Sequence, residues 1–377
     1  MINYNNQFLL SFKLGDNNDF IDANDLKHFN LYFIAGNIRP SMEISFTLQD
    51  LRLVPYFNCG NILTISFGSA GEIKKDVLQF QLTNDMSDLK FSVGSEVALK
   101  GYFYKPSFLS HVGYDYQEDK TSYEVISEYA NKYKFNLVSN IGKTNDRQNW
   151  YRVSDTPWNF LQYVWLHAYT NDNTFFSYGM DCDNLYFYDM RELTQKGAKW
   201  MLTNLSAGEN AQNTISIPGV KTVNNYGGVS DLIGKNLQIS VYDVDKGILE
   251  LQDYRLKSFG TVDTNKLNIN SSGSLDYDYG IISDDVHKNF VKAYNQNVRN
   301  NLMYQTFEIY ASTYEFKKVK LLDPVMFNMY PYDARLQGTA FITGITYQFE
   351  PGQFKLNLTI NKEAPSGIKG SELDVAG

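Results

Sequence analysis

Apolar and polar residues alternate strictly over several short segments of the first hundred residues. In the first of these segments, polar residues alternate with the apolar Met42, Ile44, Phe46 and Leu48. The same period of two recurs at 63–67, 78–82 and 97–103. A period of two is typical of a strand with one buried face. Because runs rich in Asn, Gly and Ser separate the segments, we predict a small antiparallel barrel or sandwich.

The segment 121–190 interrupts this strand-rich pattern with two predicted helices. Thr121 and Glu124 have the spacing of a capping box at the start of the first helix. The second helix is predicted to begin after Thr156, with Pro157 at its first position. The apolar face of the first helix consists of Val125, Ile126, Tyr129 and Tyr133. The apolar face of the second consists of Phe160, Leu161, Val164, Trp165 and Ala168. A hairpin with its turn at 181–184 follows.

The second half of the chain returns to strands after an irregular segment at 193–234. A strand pair is predicted around the turn 243–247, and a polar excursion at 261–282. A third helix is predicted over 285–304, with one side formed by Val286, Phe290, Tyr294, Val298 and Leu302. Further strands are predicted at 306–314 and 325–329, before a terminal hairpin of 341–349 with 354–360.

Composition excludes several classes of function. The 377 residues carry a net charge of −8, which disfavours gripping a phosphate backbone, so we expect no sequence-specific nucleic-acid binding. Tyr and Phe are abundant, at 28 and 25 residues, which favours strands and contacts with other chains.

We expect Cys59 and Cys182 to be unpaired thiols in a reducing compartment. No secretion signal is recognised, and no apolar run is long enough to insert into a membrane.

Motifs that carry chemistry are missing from the sequence. The histidines His28, His111, His167 and His287 are scattered, without metal-ligand spacing. The run 243–247 is similar to the start of a calcium loop, but Tyr254 stands where a bidentate glutamate is needed. No nucleophile elbow, phosphate loop or dinucleotide fingerprint is present. We therefore predict no catalytic residue, no cofactor-binding residue and no metal ligand, and we predict that the protein is not an enzyme.

Four sequence features together resemble a known family. Residues 154–161 read Ser-Asp-Thr-Pro-Trp-Asn-Phe-Leu and open the second helix, and the hairpin 175–189 follows it. The run 321–325, Leu-Leu-Asp-Pro-Val, stands at a strand entry, and the terminal hairpin lies within 338–360. In this order the features resemble the central hub proteins of phage baseplates, late control protein D and the N-terminal hub of type VI secretion spikes. The sequence departs from the family at Pro157, which is inserted before the tryptophan, and after Pro324, where a glycine is usual.

The resemblance implies an α+β, mainly β fold. Two small antiparallel, tube-like β-barrels would flank an inserted α+β domain that contains the helices. The first barrel is expected at 1–108 and the second at 211–242 and 300–363. The insert is expected at 109–210 and 243–299, and a C-terminal arm at 364–377.

The family also implies a structural role in the virion. Its members form a homotrimeric ring with pseudo-sixfold symmetry, which joins a sixfold tail tube to a threefold central spike and forms part of the DNA conduit. The implied partners are a tail-tube or tube-initiator protein above and a separate spike or needle protein below. A tape measure protein and baseplate wedge proteins are further candidate neighbours. The implied location is the tail baseplate of a virion assembled in the host cytoplasm.

Two other functions remain open from the sequence. The first is another β-rich virion protein, such as a distal tail protein or a receptor-binding module, which would share the aromatic content and the acidic charge. The second is a cell-wall hydrolase that uses two of the many carboxylates. Clearing of peptidoglycan by the purified protein would favour the hydrolase.

Overall fold

The structure of the chain is a computed structural model. It describes residues 2–4, 8–18, 20–69, 76–84, 90–110, 112–182, 184–205, 213–217, 220–224, 236–255, 277–302, 304–311, 319–329 and 339–363. The expected arm at 364–377 and most of the expected polar excursion, up to residue 276, lie outside the described residues.

The first part of the chain forms strands and one short 3-10 helix at Leu51–Phe57. The strands are β1 (Ile2–Tyr4), β2 (Phe8–Leu14), β3 (Asn17–Asn18), β4 (Leu26–Ile34), β5 (Ser41–Thr47), β6 (Ile62–Ser69), β7 (Asp76–Leu82) and β8 (Glu96–Phe103). The alternation seen in the sequence is confirmed, since burial in β8 alternates at every residue. All the apolar residues of the segment 42–48 are buried.

The helix-containing part follows. Its elements are α1 (Pro106–Leu109), β9 (Val112–Lys120), α2 (Ser122–Lys132), β10 (Asn136–Ser139), β11 (Gln148–Asp155), α3 (Pro157–Leu166), β12 (Phe176–Asp181), β13 (Asn184–Asp189) and α4 (Met190–Gln195). The two predicted helices and the hairpin are confirmed. The residues predicted for the apolar faces of α2 and α3 are all buried.

The remaining elements return to strands, with one long helix. They are β14 (Trp200–Thr203), β15 (Thr214–Ser216), β16 (Val220–Asn224), β17 (Asn236–Asp243), β18 (Ile248–Arg255), β19 (Tyr277–Ile282), α5 (Phe290–Leu302), β20 (Tyr304–Ala311), β21 (Pro324–Asn328), β22 (Ala340–Glu350) and β23 (Gln353–Glu363). The predicted strand pair around 243–247 and the predicted terminal hairpin are confirmed as β17–β18 and β22–β23.

A single fifteen-stranded sheet contains strands from both ends of the chain. The link is the antiparallel pair β4–β22, in which Phe29 lies opposite Phe349. These two buried rings stack with their centroids 5.4 Å apart. The mainly β fold with a helix-containing insertion is therefore confirmed. Among the described strands, however, the path runs from β1 to β15 without closing into barrels, and β22 pairs with β4 of the first region as well as with β23 of the last.

Three smaller sheets complete the described fold. The strands β10, β13 and β12 form one, β11 and β9 form another, and β18, β17 and β19 form the third. We expected the range 211–242 to form the first part of the second barrel, and β17 lies at the C-terminal end of this range. It pairs instead with β18 and β19, whereas β16 of the same range joins the large sheet through β20.

Several elements differ from the sequence expectations. The third helix begins at Phe290 and not at 285. Its exposed side includes Tyr294, which was expected on the apolar face, while the polar Gln296 and Asn297 are buried. The strands β9 to β11 and β14 to β16 were not predicted, and β19 occupies 277–282, the end of the range 261–282 that was expected to be a polar excursion. They are partly polar and pair with distant strands, so local alternation does not reveal them.

Candidate assembly surface

The start of α2 and the end of α3 are held by one buried carboxylate. Asp146 is fully buried and accepts hydrogen bonds from the Ser122 backbone amide at 2.9 Å and the Tyr169 backbone amide at 2.8 Å. The predicted capping box is present as well, since the Thr121 amide donates to the Glu124 carboxylate at 2.7 Å. Asp146 therefore links the first residue of α2 to the segment that follows α3.

The predicted core of the insert is largely confirmed. Phe160, Leu161 and Trp165 are buried, and the Trp165 ring stacks on Tyr178 of β12 with centroids 3.9 Å apart. Trp158, which was expected in the same core, is only half buried. It lies at the border between α3 and the large sheet, where it faces Arg39.

Helix α5 is attached to this insert through two buried amide side chains. The Asn297 Nδ2 donates to the Ala168 carbonyl at 3.0 Å, and its Oδ1 accepts from the Phe176 amide at 2.9 Å. Gln296 donates to the Thr174 carbonyl. These contacts satisfy backbone groups at the end of α3 and the start of β12 that would otherwise be buried without partners.

The hairpin β12–β13 joins the insert to the large sheet. The Gly36 amide donates to the Tyr178 carbonyl at 2.7 Å, across the turn after β4. A Cβ at Gly179 would collide with the Cδ2 of the buried Leu321, so a larger residue here would have to displace that side chain. The junction is therefore closely packed at Gly179.

Buried polar groups line the same junction. Asp181 accepts from the Tyr186 hydroxyl at 2.6 Å, and burial raises the pKa of this carboxyl. Asp323 accepts from the Trp200 indole at 2.8 Å and from Lys199 at 2.9 Å. Such satisfied buried networks specify one arrangement of the two parts.

The sheet of β17, β18 and β19 has one buried and one exposed face. Ile239 and Val241 are buried on the face toward α5. In register across the other face, Leu249 and Ile281 flank Tyr242. The exposed apolar side chains of this sheet and its turn include Tyr242, Val244, Leu249, Leu251 and Ile281, with exposed fractions of 37–61%. A contiguous apolar face of this kind is typical of a surface that contacts another protein. We call these five residues the apolar face.

A second candidate surface lies where β8 and α3 meet. The Arg39 guanidinium lies 5.0 Å from the Tyr102 ring centroid and 5.6 Å from that of Trp158. The Arg39 Nε and the Trp158 Nε1 are both shielded from solvent, and neither has a hydrogen-bond partner among the described residues. Desolvation lowers the pKa of Arg39. We call these three residues the arginine anchor; sequence analysis did not identify it, because they are distant in sequence.

The structure brings together two of the histidines that are scattered in the sequence. The His167 ring stacks on Phe290 of α5 with centroids 3.9 Å apart, and the His287 ring lies 3.3 Å from the His167 carbonyl. Burial lowers the pKa of His167 to about 4 and also lowers that of His287. Both rings are therefore neutral packing groups between α3 and α5 at neutral pH.

The turn after β17 gathers acidic side chains. Single carboxylate oxygens of Asp243, Asp245 and Asp284 lie within 4.8 Å of one another. The Lys246 ammonium already donates to Asp243 at 2.5 Å, which favours a self-contained turn. The predicted hairpin is thus confirmed here, and Asp245 and Asp284 remain exposed at its end.

One surface hollow lies between β4 and the turn of β22 and β23. It is open to solvent and polar, and its lining includes Lys27, His28, Gln348 and Glu350. Small-molecule sites are usually enclosed and mostly apolar, so this hollow has little in common with them. Within the described ranges, no helix is both long enough and apolar enough to cross a bilayer.

Comparison with known proteins gives a match at the level of fold. No protein-family model matches the sequence, and no curated protein matches it significantly. A tail protein from Neisseria meningitidis MC58 superposes with a TM-score of 0.53 at 10% identity, covering 94% of this chain and 97% of that one. The 43 kDa tail protein of prophage MuSo2 from Shewanella oneidensis gives 0.50 at 10% identity, covering 95% and 99%. The expected likeness to tail proteins is therefore confirmed in fold.

Proposed function

We propose that this chain is a structural hub subunit of a phage tail baseplate. The observation that carries the proposal is the shared fold with two tail proteins over at least 94% of this chain. The exposed apolar face adds support, because a structural subunit needs surfaces for neighbouring chains. In this role the protein is not an enzyme, and its location is the virion tail.

The proposed assembly is a homotrimeric ring. Each chain contributes the β-rich ends, proposed as 1–108 and 300–363, to a ring with pseudo-sixfold symmetry. The helix-containing insert keeps the threefold symmetry and seats a separate spike or needle protein. A tail-tube or tube-initiator protein binds on the opposite side, and tape measure and wedge proteins are further proposed contacts. Closed rings of this type use heterologous contacts between neighbours.

The acidic charge suits a DNA conduit. Three chains at −8 each carry a net charge of −24. We propose that part of this charge lines the lumen, so that DNA is repelled and passes without sticking. A lumen surface that is neutral or basic in an assembled structure would contradict this part of the proposal.

The molecular mass of the assembled protein in solution tests the proposed trimer. Mass photometry of the purified protein, alone and with a candidate tail-tube protein, should give a species that contains three 43.3 kDa chains, about 130 kDa. A stable monomer or hexamer under both conditions would contradict the trimeric hub. Clearing of peptidoglycan by the same preparation would contradict the non-enzymatic role.

A further inference from the structure

The arginine anchor lacks the negative charge that its chemistry requires. The Arg39 guanidinium forms cation–π contacts with the rings of Tyr102 and Trp158. Among the described residues it forms no ion pair. Guanidinium groups that are partly desolvated are normally paired with a carboxylate, and bidentate pairing is especially favourable. The anchor therefore offers a cation whose partner is still to be supplied.

The burial of the three residues leaves part of the anchor at the surface. The Arg39 Nε and the Trp158 Nε1 are shielded from solvent, so an incoming carboxylate would meet the outer end of the guanidinium and not these two nitrogens. Arg39 as a whole is only partly buried, and Tyr102 stays 43% exposed on the outer face of the large sheet. Arg, Tyr and Trp are also the residues that most often dominate binding energy at protein interfaces.

The same chain carries a complementary surface elsewhere. At the end of the three-stranded sheet, Asp245 and Asp284 are exposed, and the neighbouring ammonium of Lys246 is engaged by Asp243. The Asp284 amide donates to the Asp245 carboxylate, which holds the two residues together. The apolar face borders these carboxylates, with Val244 53% exposed and Ile281 56% exposed. We call Asp245 and Asp284 the acidic tip.

We propose that the arginine anchor is a docking site for a second copy of this chain, which fills it with its acidic tip. The proposal rests on the ring assembly proposed above and names its contact. We choose the acidic tip as the group that binds the anchor because the two surfaces have opposite charges. The anchor has a cation without an ion pair among the described residues, and the tip has an excess of carboxylates. The two surfaces belong to different parts of the fold, so the contact is heterologous and can close a ring. The adjoining apolar face is then covered by the neighbour.

Charge reversal tests the contact. The trimer's dissociation should be followed by mass photometry on dilution, for the wild type, Arg39→Glu and Arg39→Met. Both variants should dissociate at a concentration at least about tenfold higher than the wild type. Arg39→Met keeps an apolar side chain between the rings, so it separates loss of the ion pair from misfolding. Thermal melting of each variant checks the fold.

The matched control is Lys100→Glu, which makes the same charge change on β8, close to Tyr102. Lys100 pairs with Glu43 within its own chain, at 2.6 Å, so its reversal should change trimer dissociation less than Arg39→Glu does. The triple variant Arg39→Glu, Asp245→Arg and Asp284→Arg restores opposite charges at every contact. It should recover most of the stability that Arg39→Glu loses.

Each contrary outcome has a distinct meaning. A wild-type trimer whose dissociation is unchanged by Arg39→Met overturns the docking contact and leaves the hub function intact. A triple variant that dissociates as readily as Arg39→Glu shows that the acidic tip is not the occupant. If an Arg39 variant trimerises normally but no longer binds the tube or spike protein, the anchor contacts that protein and not a second copy of this chain, which overturns the docking contact. A wild type that is monomeric at micromolar concentration, with or without the tube protein, overturns both proposals.

Discussion

The side-chain amide of Asn297 donates a hydrogen bond to the backbone carbonyl of Ala168 at 3.0 Å. The bond joins α5 to the end of α3 across 129 positions of sequence. The same side chain accepts a hydrogen bond from the Phe176 amide. Asn297 therefore connects α5 to both the end of α3 and the hairpin β12–β13. The insert is thus assembled from two segments that are far apart in the chain.

Replacing Asn297 with Ala should destabilise the protein by about 2–3 kcal/mol, because it leaves the buried Phe176 amide without an acceptor. Urea denaturation followed by circular dichroism measures the loss. Asn295→Ala is the matched control on the same helix. Among the described residues, Asn295 donates to the Val291 carbonyl within α5 and to no other group, so the loss should stay below about 1 kcal/mol. Equal losses in the two variants would show that Asn297 is not a connecting residue.

Stability should fall on acidification because His167 is buried. Its folded-state pKa is lowered to about 4, whereas an unfolded histidine titrates near 6.5. Between these values the unfolded chain binds the extra proton, so the stabilisation is complete above about pH 6.5 and decreases toward pH 4. The expected slope is about 1.4 kcal/mol per pH unit for this residue.

His167→Phe isolates this contribution from other groups. The variant keeps a ring against Phe290 and removes the titrating nitrogen. Burial lowers the pKa of His287 as well, so it contributes in the same direction. Burial raises the pKa of Asp181 and Asp189, so their contribution has the opposite sign. Urea denaturation between about pH 7 and pH 5 should therefore show a shallower decrease in the variant than in the wild type. Parallel curves would contradict the assignment.

Gly280 sets the distance between β19 and α5. A Cβ at this position would lie 3.0 Å from the Val291 Cβ, which is too close for an ordinary contact. We expect Gly280→Val to cost about 1–3 kcal/mol by forcing the helix away from the sheet. The control is Gly142→Val, where a Cβ meets nothing within 4 Å. Thermal melting compares the two, and a similar midpoint for both would refute the close packing.

The buried acceptor Asp323 should matter more than surface ion pairs. Asp323→Ala leaves the buried Trp200 indole donor unsatisfied and should cost about 2–3 kcal/mol. Asp323→Asn retains an acceptor and should cost less. Lys196→Ala removes an exposed pair with Glu192 and should change the free energy of unfolding by less than about 1 kcal/mol. If Asp323→Ala costs no more than Lys196→Ala, the junction is not held as described.

Local sequence signals predicted the elements of the fold well. The capping box of Thr121 and Glu124 and the Thr156–Pro157 start of α3 depend only on neighbouring residues, and both are present. The alternation in β5 and β8 is also local, because it reflects which face of a strand is buried. Elements whose stability is decided within one or two turns can be identified from sequence alone.

Long-range relationships were not predictable in the same way. The pair β4–β22 joins strands more than 300 residues apart, and no periodicity reveals it. Helix α5 is buried partly through Gln296 and Asn297, because it satisfies backbone groups that only the folded insert presents. The arginine anchor likewise exists only after β8 and α3 meet. Sequence patterns record burial but not the identity of a distant partner.

Cryo-electron microscopy of the purified chain would show the proposed trimeric ring itself. We expect threefold particles of three chains, in which the β-rich ends form six similar units around a lumen and the inserts lie together on one side. Focused comparison of the two β-rich ends within one subunit would show their superposition. Monomeric particles, or a ring whose β-rich ends do not repeat around the axis, would contradict the proposed symmetry adaptor.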